Sequence, residues 1–103
     1  MPVVRISKGT FEPVRTAEAE RLLRDSEFAL RDALSGLPGL LHYYVGIDRI
    51  QGQLTNVSVW DSLEHAHQLD SLKEMLAQRA IHQGAGIMFE TITNHEVLWS
   101  IMP

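Results

Sequence analysis

Apolar and polar residues alternate from Leu54 to Trp60. Val57 and Val59 fall on one face, and Asn56, Ser58 and Trp60 on the other. The β-branched face reads as core. The opposite face carries an amide, a hydroxyl and an indole, an unusual set for a surface that water alone covers. A helix follows at once: Asp61 suits its N-cap, and Glu64 three residues on completes a capping-box-like pattern. The pattern therefore predicts a polar-aromatic face held at a rigid strand-to-helix junction, where small ligands often bind.

The remaining elements follow from the same kind of pattern. A first strand is predicted from about Val3 to Lys8, with Gly9-Thr10 turning the chain. Pro13 and Thr16 mark a helix start, with Thr16 as N-cap and Glu18 and Glu20 in the first turn, where carboxylates suit the helix dipole. Ala19, Leu22, Leu23, Ala29, Leu30, Ala33, Leu34 and Leu37 form a helical stripe, with Phe28 near its edge. Ser35-Gly36-Leu37-Pro38-Gly39 stops the helix. A second strand covers about Leu40 to Asp48, and Gln51-Gly52 turns into the third, Gln53 to Trp60. Leu63, Ala66 and Leu69 continue the next helix. A second capping signature, Ser71 to Glu74, predicts a break and a further helix from about Leu72 to Gln83. Met88 to Met102 reads as strand throughout, bent near Thr93-Asn94-His95.

This order predicts an α+β fold: a ferredoxin-like split β-α-β pair in one domain, residues 1–103, with a four-stranded antiparallel sheet and helices on one face only. The uncovered face is expected to carry Tyr44, Asn56, Ser58 and Trp60. A second copy packing sheet to sheet would cover it and enclose a cavity.

Composition narrows the function classes. The chain has 103 residues, 45% of them hydrophobic, which suits one globular domain. It contains no cysteine, so disulfides, thiolate metal sites and a cysteine nucleophile are excluded. The formal charge is -4 and the basic residues are scattered, which argues against nucleic acid and anionic membrane as partners. The N-terminal residues lack a signal-peptide core, and no apolar run approaches the ~20 residues of a membrane helix. A cytoplasmic protein is the simplest expectation.

Two stretches carry a family resemblance: Leu40-Leu41-His42-Tyr43-Tyr44 after Pro38-Gly39, and Asn56 through Ala66 with its strand-Trp-acidic-Ser junction. The chain resembles the antibiotic-biosynthesis-monooxygenase-like proteins of the dimeric α+β barrel superfamily, over nearly its whole length in element order. The resemblance implies a homodimer, a barrel cavity for a small aromatic or hydrophobic ligand, and, in the quinone-forming members, oxygenation without a cofactor. In those members an Asn and a Trp four residues later line the pocket, and Asn56 and Trp60 fit that spacing. The Tyr expected in the next helix is unmatched: Ala66 lies near that place, between His65 and His67. An Arg expected later is matched loosely by Arg79. In haem-degrading members an Asn in the first strand and a His in the late helix are used. Ser7, Met75 and Leu76 stand there instead, which argues against haem degradation.

The candidate site is therefore Asn56, Trp60 and His67 for chemistry, with Tyr44, Ser58, His42 and Arg79 for binding. Asn56 suits hydrogen bonding to a phenolate oxygen, or else a partner inside a small barrel. Trp60 suits stacking on a planar substrate, or equally the core. His67, beside the buried stripe, suits a base titrating near neutrality, or a half-buried ring satisfied locally. His65 and His67, two apart on a helix, face different directions and do not share a metal. His42 alternates with Tyr43 and accompanies Tyr44, so whichever set faces the cavity brings a Tyr; Tyr44 is taken because Leu41, Tyr43 and Val45 would then meet the helices. Gly84-Ala85-Gly86 is too short for a phosphate loop and precedes a strand, so no nucleotide or flavin cofactor is expected. Three classes remain: a cofactor-independent monooxygenase on a phenol or quinol, a non-catalytic binding module for a hydrophobic metabolite, and an isomerase- or lyase-like enzyme.

Overall fold

The computed structural model describes all residues, 1–103. Strands β1 (Val3–Thr10), β2 (Leu40–Asp48) and β3 (Gln53–Trp60) form an antiparallel sheet in the order β2-β3-β1. Two short strands, β4 (Met88–Phe89) and β5 (Thr93–Glu96), pair side by side along the free edge of β1. Together they are a broken fourth strand, so the ferredoxin-like α+β order holds. The interruption lies at Glu90–Ile92, slightly earlier than the predicted bend, and residues 97–103 leave the sheet instead of extending it.

Helix α1 (Thr16–Ser35) crosses one face, burying Ala19, Leu23, Ser26, Leu30 and Leu34 at helical spacing. Phe28, at the edge of that stripe, is exposed. Thr16 is the first helical residue and not a side-chain cap; its hydroxyl donates to the Pro13 carbonyl at 2.6 Å. After β3 comes the short helix α2 (Leu63–Ala66), a 3-10 turn over His67–Asp70, and then α3 (Lys73–Gly84), so the predicted break is present. Ser62 caps α2 by accepting the His65 backbone N–H at 3.2 Å. Asp61 instead meets the His65 ring, Nδ1 to Oδ1, at 2.6 Å. None of these helices is long and apolar enough to cross a membrane.

Paired residues in an antiparallel sheet share a face, so the register decides what the helices cover. The covered rows are Leu40–Trp60–Val3, Tyr43–Ser58–Arg5–Asn94, Val45–Asn56–Ser7, and Ile47–Leu54–Gly9–Phe89. This overturns the predicted faces of β3, whereas in β2 Tyr43 and Val45 meet the helices and Tyr44 stays on the open face as predicted. Asn56, Ser58 and Trp60 lie under the helices, and Val57 and Val59 lie on the open face with Tyr44 and His42. The physical reason is that α1, α2 and the 3-10 turn after it bring Leu30, Leu34, Ala66 and Leu69 onto Trp60, whose large indole is thereby fully buried. An irregularity between Leu40 and His42 puts Leu40 and Tyr43 on the same side, three residues apart, and turns Leu41 outward.

Candidate active site

The covered face is apolar at its ends and polar in the middle. One core cluster gathers Trp60, Val3, Leu30, Leu34, Ala66 and Leu69; a second gathers Leu54, Leu23 and Ile87. Between them lie the two rows that hold Ser58, Arg5, Asn56 and Ser7. A cavity of about 50 Å³ opens over those rows, closed above by α1 and α3. From α3 come Met75, Gln78, Arg79 and His82. That spacing of three, four and seven residues is the inward stripe of a helix, here mostly polar. Polar groups on the inner face of both sheet and helix are a costly arrangement for packing alone.

Asn56 stands on the cavity floor. The Tyr43 hydroxyl approaches Asn56 Oδ1 at 3.4 Å. With the amide oxygen turned to that hydroxyl, the amide N–H groups are left for a ligand, an assignment made from the hydrogen-bond pattern. Burial pushes the Tyr43 phenol up to about 12, against the opposing pull of the nearby Arg5 charge. Tyr43 is therefore a neutral donor at physiological pH. Ser58 also lines the cavity, and its Oγ accepts the Trp60 indole N–H at 2.8 Å.

Arg5 is a buried cation, tied on one side to Asp70 Oδ1 at 2.8 Å. Burial pushes the Asp70 carboxyl up, but hydrogen bonds from Arg5 and His67 outweigh it and hold the group below the usual carboxylate range. Asp70 sits outside the cavity. Arg79 reaches the wall with its guanidinium 4.5 Å from the centre of the Phe89 ring. Arg5 and Arg79 thus line the space and no carboxylate does, although Asp70 pairs with Arg5 from outside it.

Of the sequence-predicted site residues, the fold brings Asn56, Ser58 and Arg79 together around this cavity. Trp60 does not line the cavity and lies fully buried in the first core cluster. His67 points outward and is half exposed; its Nδ1 lies 2.8 Å from Asp70 Oδ2. His42 and Tyr44 stand on the open sheet face, their rings edge to face at 5.3 Å. His65 and His67 each engage a different carboxylate, so the two rings do not converge.

Arg5, Tyr43 and His82 were not anticipated as site residues. Arg5 and Tyr43 depend on how the strands pair. For His82 a signal existed: Met75, Gln78, Arg79 and His82 share one helical face on which apolar residues were due.

A wider cleft, about 440 Å³, runs between α1 and β2. Its walls include Leu30, Tyr43, Val45 and Ile47, with Glu20, Arg24 and Arg49 at the rim. The cleft and the cavity share Ser26, Leu30 and Tyr43, so Tyr43 stands between an open apolar groove and the polar interior.

This architecture recurs in solved structures. A candidate antibiotic biosynthesis monooxygenase from Deinococcus radiodurans superposes with a TM-score of 0.74 at 21% identity, over 98% of this chain and 97% of that one. SnoaB, a cofactor-independent oxygenase from Streptomyces nogalater, gives 0.67 at 16% identity, over 97% and 96%. Rv0793 from Mycobacterium tuberculosis gives 0.65 at 18% identity, over 99% and 100%. The chain has the antibiotic-biosynthesis-monooxygenase-like fold. No protein-family model matches the sequence, and no curated protein matches it.

Proposed function

We propose that the protein is a cofactor-independent monooxygenase that oxidises an electron-rich phenol or quinol to a quinone. The observation that carries this reading is the polar cavity, where the Asn56 amide and two guanidinium groups face one enclosed space without a carboxylate. Such a site lowers the energy of a phenolate relative to its phenol, because preorganised donors await the charge. A phenolate rich enough in electrons reduces dioxygen itself. One oxygen atom becomes the new carbonyl oxygen, the other leaves as water, and the ring carbon is oxidised as it loses its hydrogens. The fold shared with a cofactor-independent oxygenase supports the reading.

The cavity alone takes the reacting edge of a ring. The α1–β2 cleft beyond Tyr43 would take the body of a larger substrate. Asn56 would donate to the reacting oxygen, with Tyr43 holding its amide in place. Ser58 and Trp60 would support that floor from below. A homodimer belongs to the proposal as well. The open face, with Ile6, Val57 and Val59, and the C-terminal residues Leu98, Trp99, Ile101 and Met102 leave apolar surface that a second copy would cover.

The test is oxygen uptake with dithranol, a dihydroxyanthrone, in buffer freed of metal and flavin. Consumption of one dioxygen per quinone formed is the expected result. Saturable binding without oxygen uptake would favour the binding module, and product formed without oxygen loss would favour an isomerase- or lyase-like enzyme.

A further inference from the structure

His82 is the one buried histidine among the five. It lies on the inward stripe of α3, lines the cavity, and stacks near Phe89 with ring centres 6.3 Å apart. Its Nε2 is buried and has no hydrogen-bond partner in the protein. Around it the cavity offers donors: Arg5 from β1, Tyr43 from β2, Asn56 from β3, and Gln78 and Arg79 from α3 itself. Helix α1 contributes only Ser26 and Leu30, and the chain around β4 contributes Phe89 and Ile92. No acidic group faces the ring from any of these elements. An unpartnered ring acceptor beside these donors is open to a donor on the ligand.

We propose that His82 is the proton acceptor of this cavity, its Nε2 lone pair receiving the O–H proton of a bound phenol. The inference rests on the oxygenase reading for its chemistry, and only on the cavity for its geometry. The O–H bond breaks, the N–H bond forms, and the electron pair stays on the phenolate oxygen beside Asn56 and the guanidinium groups. The proton held on the imidazolium is then available to the reduced oxygen that leaves as water. The ring is prepared for this role. Burial lowers its pKa, opposed in part by the Leu22 backbone carbonyl. With the ring proton on Nδ1, the neutral tautomer leaves the unpartnered Nε2 as an acceptor. His67, the histidine suggested by the sequence, has its Nδ1 engaged by Asp70 outside the cavity.

Two measurements test the proposal together. The first compares the wild type with His82→Gln in oxygen uptake on dithranol across pH, after thermal melting has established that the variant folds. His82→Gln should lower kcat on the order of 10²-fold near neutrality, with KM little changed. The deficit should shrink at high pH, where solvent deprotonates the phenol. The second follows the ring nitrogens of the wild type by 15N NMR as 1-naphthol is added, with naphthalene as control. The Nε2 resonance of His82 should move with 1-naphthol alone. An unchanged kcat and pH profile in a folded variant, or an Nε2 resonance indifferent to saturating 1-naphthol, overturns the assignment while leaving the oxygenase reading intact. A wild type that shows the Nε2 shift but takes up no oxygen leaves the acceptor role standing and removes the oxygenase.

Discussion

At the scale of single residues, Asn56 and His82 bear most of the functional argument. Asn56 is held by Tyr43 on one side and faces the cavity on the other. Asn56→Ala should raise the barrier by about 2.7–4 kcal/mol, as loss of one oxyanion donor does elsewhere, and should slow turnover much more than it weakens binding. Asn56→Asp should be worse, since it sets a carboxylate beside the phenolate. Steady-state kinetics with dithranol check both; wild-type turnover in either variant removes Asn56 from the mechanism. His82 also governs stability. Its pKa is lowered in the fold, so below the ordinary value of 6.5 the unfolded chain binds a proton that the folded ring resists. The stabilising effect of the neutral ring is complete above pH 6.5 and fades as pH falls through the window beneath it. Urea unfolding at stepped pH should show this decline in the wild type and a flatter profile in His82→Gln.

At the scale of elements, the junctions around β3 hold the site in register. Gly39 adopts a φ of +79°, and a Cβ placed there would collide with the Asp61–His65 pair. The Gly39 carbonyl also accepts the Asp61 backbone N–H at 2.9 Å. The loop that starts β2 is thereby locked to the turn that ends β3. Gly39→Ala combines left-handed strain with that collision and should destabilise by about 2 kcal/mol or more. Thermal melting should then fall on the order of 10 °C for a domain of this size; a melting point within a degree or two of wild type would show that the loop relaxes freely. The break between α2 and α3 matters for the same reason. It lets α3 start a new face, so Met75, Gln78, Arg79 and His82 look inward where one continuous helix would have turned them elsewhere.

At the scale of the molecule, one face of the sheet is satisfied and the other is not. The covered face has its helices, cores and cavity. On the open face stand the rows Ile6–Val57–Tyr44 and Val4–Val59–His42. Beyond Val97, whose N–H is held by the Pro2 carbonyl at 3.0 Å, four large apolar side chains of the C-terminal segment are each more than 70% exposed: Leu98, Trp99, Ile101 and Met102. A second copy packed on this surface, as proposed, would cover it. Light scattering at micromolar concentration should give the mass of two chains, with an interface above roughly 1,000 Å². Deleting residues 98–103 should shift the equilibrium toward one chain. A wild-type monomer at that concentration would refute the dimer.

The element order, the hairpin turn at Gly52 and the break at Asp70-Ser71 were legible in the sequence, because period, capping and glycine signals act over a few residues. The side of the sheet on which the cavity lies was not. Alternation separates Asn56, Ser58 and Trp60 from Val57 and Val59, but it does not say which set the helices cover. That choice depended on α1, α2 and the following 3-10 turn delivering Leu30, Leu34, Ala66 and Leu69 to one indole, with the α1 contacts spanning about 30 residues of chain. The β2–β3 hairpin register then set Tyr43, and not Tyr44, on the face of Asn56. Pairing across strands likewise brought Arg5 beside Ser58, and helix packing turned His82 inward. Local signals determined which elements form, and long-range burial determined which of their faces became a site.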